Sequence, residues 1–329
     1  MKLLSIIVPL YNSARYLPKC LESLLTQDIP SEDYEIILVN DGSPDNSLKI
    51  AEGYASKNGN IRIYSQENSG TSGARNAGIR NATGKYLYFV DPDDYILENS
   101  LACILDKVEE ENLDILRFGY MEVNEDYHPT SSVKRPPIID YSPEIMDGCT
   151  FMGKRLGVAC YVWTYLFRTS LIRDNNLFFI EGVYFDDTPW LPQVLRKASR
   201  VNSVNFQRHF YLIRGNSLVQ SKDRITIRKK IEGQTYLINE LKSQMETTNN
   251  SYALQWYRSV IAHCIVSLLS ISGQQEKDEV QSICRFVSSS GALPLPVNGS
   301  TTRNRIKLRL INISPYLFCL IIKVKNIFK

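Results

Sequence analysis

Short apolar, β-branched runs alternate with stretches of helical spacing through the first hundred residues of the chain. Leu4–Val8, Ile36–Val39 and Tyr86–Val90 are continuous apolar segments of buried-strand type, and Ile61 and Ile63 mark another strand. Asn12 or Ser13 is a cap for a first helix, in which Pro18 is tolerated near the start and Leu17, Leu21, Leu24 and Leu25 share a face. Asp45 or Ser47 caps a second helix reaching Ala55, and Gly70 to Gly78 opens a third. Strands and helices in alternation, joined by short connections, predict an α/β fold with a parallel sheet covered by helices.

The pattern changes further along. Leu101–Glu111 predicts a helix and Asp114–Val123 a strand. Residues 124–145 hold Pro129, Pro136, Pro137 and Pro143 and read as an irregular loop of a length that is often functional. Val162–Arg168 and Asn205–Arg214 are apolar and aromatic strands. Beyond Ser221 helix formers dominate, with Ile231, Leu237, Ile238 and Leu241 at helical spacing, so a boundary is expected near 220.

Composition narrows the class. With 329 residues, 43% hydrophobic and 22% charged, the chain is globular, with room for one large α/β domain and an appendage or for two modest domains. Its seven cysteines are odd in number, widely spaced and without a C-x-x-C pair. That argues for reduced thiols in a cytosolic compartment and against a disulfide framework or a zinc site. The segment Met1–Leu10 has a short apolar core and no small-residue cleavage site after it, so it reads as a strand and not as a signal peptide.

Charge is unevenly spread. The net charge is +3, yet Arg285, Arg303, Arg305, Lys307, Arg309, Lys323, Lys325 and Lys329 end the chain with no acid among them, so residues 1–284 carry 3 − 8 = −5. Nucleic acid binding by the main body is therefore not expected. Ile313–Ile322 is an apolar run of ten residues amid those cations. As a helix it extends about 15 Å, half the roughly 30 Å hydrocarbon core, so it is too short to span a bilayer. The tail predicts a helix starting at Pro315 and lying on an anionic membrane surface, or one packed on the main domain with its cations solvated.

In an open parallel sheet, ligands bind beyond the carboxyl ends of the strands. Pro9 to Asn12, Asp41, Asp91 and Asp93 all follow strands directly. Asp91-Pro-Asp93-Asp94 sets three carboxylates in four positions after a buried strand, an arrangement that suits a hard cation held by oxygen. A solvated turn around Pro92 is the alternative. Tyr11 presents a face for a base, or is a boundary aromatic; Asp41-Gly-Ser43 holds an acceptor, or is a plain turn. Arg75-Asn-Ala-Gly78 is equally a helix surface with a close-packing glycine.

Ser5-Ile-Ile-Val-Pro9-Leu-Tyr11-Asn12, Ile36–Ser43, Asn68-Ser-Gly70, Ala74-Arg75-Asn76-Ala-Gly78, Asp91-Pro-Asp93-Asp94 and Glu181–Asp187 together resemble the inverting family 2 glycosyltransferases. The resemblance runs over residues 3–100 most clearly, continues to 220 and stops there; Asp186 stands where the family usually has Glu. It implies the GT-A fold, with a mostly parallel central sheet and a helical C-terminal region. Residues 1–100 become the nucleotide-sugar half, 101–220 the acceptor half, and 221–329 a helical region with a basic amphipathic tail.

The resemblance also implies roles. Pro9, Tyr11, Asn12, Asp41, Arg75 and Asp91 contact the nucleotide-sugar, with Tyr11, Asp41 and Arg75 around a uracil, and Arg214 in Arg214-Gly-Asn-Ser217 closes over the diphosphate. Asp93 ligates Mn²⁺ or Mg²⁺, and Asp91 contacts ribose or metal-bound water. Asp187 is the general base, a role Asp186 takes if the register shifts by one; Glu181, Trp163 and Asp186 lie on the acceptor side. Asp94 is expected as a cap for the next turn and His209 as structural. Gln255-Trp-Tyr-Arg258 lacks the following Trp of processive members, so one sugar is added per encounter. The expected partners are a UDP-sugar and a saccharide or lipid-linked saccharide acceptor, met by a cytoplasmic enzyme peripheral to the membrane. A sugar-phosphate nucleotidyltransferase needs a glycine-rich loop, and residues 1–30 hold no glycine. A dinucleotide-dependent oxidoreductase lacks its G-x-G-x-x-G. A non-catalytic nucleotide-sugar-binding protein is the other competitor, and the intact Asp93 and Asp187 speak against it.

Overall fold

The computed structural model describes residues 2–130, 144–214, 223–273, 275–297 and 302–327. It forms two compact units, Met1–Phe151 with Ala159–Ser217, and Met152–Val158 with Leu218–Lys329. The expected boundary near 220, most of the proline-bearing loop, and Gly215–Ser217 lie outside the described residues.

In the first unit the chain runs through β1 (Leu4–Leu10), α1 (Leu17–Leu25), β2 (Tyr34–Asp41), α2 (Ser47–Ala55), β3 (Ile61–Gln66), α3 (Gly70–Asn81) and β4 (Tyr86–Phe89). There follow β5 (Tyr95–Ile96), α4 (Leu101–Glu110), β6 (Ile115–Val123), α5 (Gly148–Lys154, whose part from Met152 on belongs to the second unit), β7 (Tyr165–Arg168), α6 (Thr169–Asp174), α7 (Asp187–Leu195) and β8 (Val201–Leu212). The sheet order is β3-β2-β1-β4-β7-β6-β8-β5. β3, β2, β1 and β4 are parallel, β7 is antiparallel to both β4 and β6, β6 and β8 are parallel, and β5 closes the edge antiparallel to β8. Leu4, Ile6, Val8, Ile36, Leu38, Tyr86 and Tyr88 pack on α1 and α4 as one core.

Several boundaries differ from expectation, each for a local reason. The first helix starts at Leu17, not at Asn12 or Ser13: Asn12 holds the left-handed conformation (φ 51°), and Ser13 contributes its carbonyl to Tyr16 N and Leu17 N. β2 begins at Tyr34 because Glu35 is drawn into the sheet, accepting from Ser5 Oγ at 2.7 Å, Thr83 N at 2.6 Å and Arg62 Nη1 at 3.0 Å. Val162–Thr164 is a tight 3₁₀ turn, closed by Thr164 Oγ1 on the Tyr161 carbonyl at 2.7 Å, and only Tyr165–Arg168 is strand. β8 extends back to Val201, since Asn202 and Ser203 are buried polar residues that interrupt the apolar pattern without interrupting the pairing. The two-residue β5 and the helices α5 and α6 had no clear periodic signal.

The second unit holds α8 (Arg224–Glu246), α9 (Ser251–Ser272), α10 (Lys277–Ser289), α11 (Thr302–Ile313) and α12 (Pro315–Ile327). Ile231, Leu237, Ile238 and Leu241 are buried on α8 as the spacing predicts. Asp223 caps α8 through Thr226 N, and Asn250 caps α9 through Tyr252 N and Ala253 N. Among the described residues α9 alone is long and apolar enough to cross a membrane, but Trp256, Tyr257, Val260, Ile261, Ile265 and Leu268 are buried, as in a core helix. The tail is two helices meeting at Pro315, which takes the first position of α12.

Candidate active site

The site is assembled around α3. Its N-terminus is capped from β2: the Asp41 carboxylate accepts from Ser69 N and Gly70 N, both at 2.9 Å, and from Gln66 Nε2 at 2.8 Å. A carboxylate there complements the unsatisfied N–H groups and the positive end of the helix. Asp41 is buried, so its first task is to set the direction of α3. Gly78 on the same helix lets it lie close on β1, where a Cβ would stand 2.3 Å from Ile7 Cγ2.

With α3 so placed, Ser72, Arg75 and Asn76 fall on one helical face and grip the segment 179–187. Arg75 Nη1 donates to Asp187 Oδ1 at 2.7 Å and Asp186 Oδ2 at 3.2 Å, and Nη2 donates to Asp91 Oδ1 at 3.0 Å. Ser72 Oγ donates to Asp186 Oδ2 at 2.8 Å. Asn76 Nδ2 donates to Phe179 O at 2.9 Å and to Glu181 Oε1 at 3.0 Å, while Asn76 Oδ1 accepts from Phe179 N at 2.8 Å. Burial opposes the Arg75 charge, but Asp187, Asp186 and Asp91 override it and hold the guanidinium firmly protonated. Arg75 therefore joins three acids, whereas the resemblance set it beside Tyr11 and Asp41.

Asp187 has one oxygen held by Arg75 and one held only lightly. Its Oδ2 receives only a long contact from Val162 N, 3.4 Å, among the described residues. Burial, then the charges of Asp186 and Asp91, push its carboxyl up to about 7 against the pull of Arg75. A carboxylate poised there is matched to proton transfer at neutral pH.

The loop after β4 is fixed from below. Asp94 is not a turn cap. It is buried, with Oδ2 2.9 Å from His209 Nε2 and Oδ1 accepting from Leu212 N at 2.9 Å, while His209 Nδ1 lies 2.9 Å from the Tyr88 hydroxyl. Burial pushes His209 down to about 3, so the ring is neutral and bridges the Tyr88 hydroxyl and the Asp94 carboxyl through its two nitrogens. This pillar of β4, the loop and β8 holds Asp91 and Asp93 at the strand end. The sequence reading of His209 as structural agrees with that placement.

Asp93 Oδ2 meets Arg214 Nη2 at 2.5 Å. Burial, Asp94 and Asp91 push its carboxyl up to about 7, opposed by Arg214. Outside the Asp94–His209 pair, the ion pairs set the carboxyls of Asp91, Asp93, Asp186 and Asp187 against the guanidiniums of Arg75 and Arg214, four acids to two bases. Such a site repels a diphosphate unless further positive charge enters. Among the described residues no three His, Cys, Asp or Glu are grouped to hold a metal alone. Asp91 and Asp93 are hard oxygen donors that suit an ion completing its shell with water and phosphate, the habit of Mg²⁺.

The remaining predicted contacts are spread around this centre. Pro9 is buried at the end of β1, Tyr11 is 53% exposed with its ring available for stacking, and Asn12 makes the left-handed turn beside it. Glu181 is exposed on the segment gripped by Asn76. Trp163 is only 4% exposed, enclosed in an aromatic stack. Sequence reading missed Ser72 and Asn76 as grips and the Tyr88–His209–Asp94 pillar. The i, i+3, i+4 spacing of Ser72, Arg75 and Asn76 was the available signal for the first.

The model of the family described as Glycosyl transferase family 2 matches residues 5–173 of the 329. The chain is 37% identical over 224 residues to the uncharacterized glycosyltransferase EpsJ of Bacillus subtilis, covering 66% of this chain and 63% of EpsJ. It is 31% identical over 210 residues to the poly(ribitol-phosphate) beta-N-acetylglucosaminyltransferase TarS of Staphylococcus aureus, covering 63% of this chain and 35% of TarS. The chain thus spans less than two thirds of either relative. The crystal structure of TarS 1–349 in complex with UDP superposes with a TM-score of 0.72 at 21% identity, covering 100% of this chain and 92% of that one. The mannosyltransferase PcManGT from Pyrobaculum calidifontis, in complex with GDP-Man and Mn²⁺, gives 0.57 at 14% identity, covering 99% and 87%.

Proposed function

Because the chain belongs to the family 2 glycosyl transferases, we propose that it moves one sugar from a UDP-sugar to a hydroxyl of a saccharide or lipid-linked saccharide, with inversion, in polysaccharide assembly. The observation that carries this reading is the Arg75 bridge, which holds Asp187 one guanidinium away from Asp91. A proton acceptor and the carboxylates of the leaving-group side are thereby kept in fixed register. Tyr11 stacks the base, and Arg214 faces the diphosphate. Asp187 removes the acceptor proton as its oxygen attacks the anomeric carbon from the side opposite the diphosphate, in one displacement. Asp186, held by Ser72 and Arg75, positions Asp187, and Glu181 receives acceptor hydroxyls. Asp93 and Asp91 would hold Mn²⁺ or Mg²⁺, which when bound would supply the charge that steadies the leaving diphosphate. The UDP complex of TarS and the Mn²⁺ in PcManGT support these choices of nucleotide and ion.

A panel of UDP-, GDP- and dTDP-sugars with MnCl₂, read by thermal unfolding, tests the donor. The matching donor stabilises the protein by about 2.7 kcal/mol at a hundredfold excess over its Kd. No stabilisation by any nucleotide-sugar would sink the reading.

We further propose that α11 and α12 rest on an anionic membrane. Leu308, Ile311, Phe318 and Cys319 are buried, yet Ile306, Ile313 (75% exposed), Leu317, Leu320 and Ile321 face solvent beside exposed Arg309 and Lys323. The buried face packs within the helical unit, and the exposed apolar face is the one offered to the membrane. Lys329 and the side chain of Lys325 lie outside the described residues. Each cation near anionic lipid contributes about 1 kcal/mol. The chain is expected to sediment with phosphatidylglycerol vesicles at low salt, and a variant carrying Arg309→Glu, Ile313→Ser, Leu317→Ser and Leu320→Ser to remain in the supernatant. Equal sedimentation of the two removes the membrane contact.

A further inference from the structure

Tyr161 is the outer ring of a stack whose inner members are buried. Its ring lies parallel to Trp163, 4.9 Å between centroids and 10° between planes. Trp163 in turn stacks on His209 (4.5 Å, 18°) and on Tyr211 (5.4 Å, 4°). Tyr120 closes the side, edge-on to Tyr161 at 5.8 Å and to Trp163 at 4.8 Å. The stack therefore ends inside on the same His209 that anchors Asp94, so the floor and the loop of Asp91 and Asp93 share one support.

Trp163 has no surface left for a ligand, but Tyr161 is 41% exposed. Its position along the chain brings it beside the proposed base, since Val162 N points at Asp187 Oδ2. Burial, then the charges of Glu122 and Asp187, push the Tyr161 hydroxyl up, so it stays a neutral hydrogen-bonding group. Resting on the transferase reading, we propose that Tyr161, not Trp163, is the floor of the acceptor subsite, and that it takes a sugar in its ring form. A pyranose has a flat face of C–H groups that fits the negative face of an aromatic ring, while its hydroxyls point outward to acceptors such as Asp187. An open-chain polyol has no such face, and ordering its many torsions on a flat ring costs more than the contact returns.

The test uses the full chain with its donor and, as acceptor probes, the methyl β-pyranosides of glucose, galactose and N-acetylglucosamine against ribitol. Tyr161→Ala is expected to raise the KM for the preferred pyranoside about tenfold, the size of one aromatic stacking contact, with a smaller change in kcat. Tyr161→Phe keeps the ring and stays within about twofold of the parent. Saturation-transfer NMR gives a readout free of turnover: the C–H face of the pyranoside receives saturation in the parent and in Tyr161→Phe, and loses it in Tyr161→Ala. An unchanged KM and unchanged saturation in Tyr161→Ala, or transfer to ribitol in preference to every pyranoside, overturns the proposal. Ring-dependent saturation without sugar transfer to any probe supports the subsite and counts instead against the transferase reading.

Discussion

Asp187→Asn is expected to lower sugar transfer by about a hundredfold or more while nucleotide-sugar binding survives. The amide keeps the size of the side chain and an oxygen for Arg75, but it cannot take a proton. Asp186→Asn is the informative partner. Burial and its acidic neighbours raise the Asp187 carboxyl to about 7, the range of a general base, whereas Asp186 braces the segment through Ser72 and Arg75. The loss should therefore be much larger at 187 than at 186. The pH profile gives a second check with a definite sign. A base must be unprotonated, and the Asp187 carboxyl is raised to about 7, so kcat/KM falls as pH drops through that value, by about tenfold per unit well below it. The residual activity of Asp187→Asn loses that limb. An active Asp187→Asn beside a dead Asp186→Asn would shift the base by one residue.

Asp93→Asn is expected to reduce turnover by about three orders of magnitude, the scale of losing a principal electrostatic group opposite the leaving charge. Its second effect is thermodynamic. In the parent, UDP affinity measured by calorimetry rises when MnCl₂ is added; in Asp93→Asn most of that increment disappears. The fold should persist, because Asp93 is tied only to Arg214 among the described side chains, while Asp94 carries the buried contacts of the loop. Arg214→Gln separates the two consequences of the change, since it breaks the same ion pair and leaves the carboxylate in place. An Mn²⁺ increment that is undiminished in Asp93→Asn ends the assignment of this residue to the cation.

Much of the frame was legible without coordinates. Continuous apolar runs such as Ile36–Val39 have no polar face to expose and must be central strands, and their spacing leaves only helical crossovers between them. Strands of that kind bring their carboxyl ends to one edge, so Tyr11, Asp41, Asp91 and Asp93 were bound to gather there whatever the details of packing. The matching blocks through residue 94, and Asp187 beyond them, then pointed to the family.

What the residues do to one another at that edge was decided by tertiary contacts. Asp41 reads as a free acceptor until α3 is docked and its N–H groups take the carboxylate. Asp94 reads as a turn residue, and its partner His209 is 115 positions away. Arg75 meets Asp187 across 112 positions, and Ser72 meets Asp186 across 114. Glu35, next to an apolar run, is fully buried because Ser5, Thr83 and Arg62 converge on it. Periodicity reports which side of an element is apolar, a property of neighbouring residues. Pairing between polar groups depends on which elements the fold sets side by side, and a buried charge chooses its partner by distance in space. The chain by itself therefore determined the sheet edge and the chemistry gathered on it; the docked helices and β8 decided which partner each of those carboxylates meets.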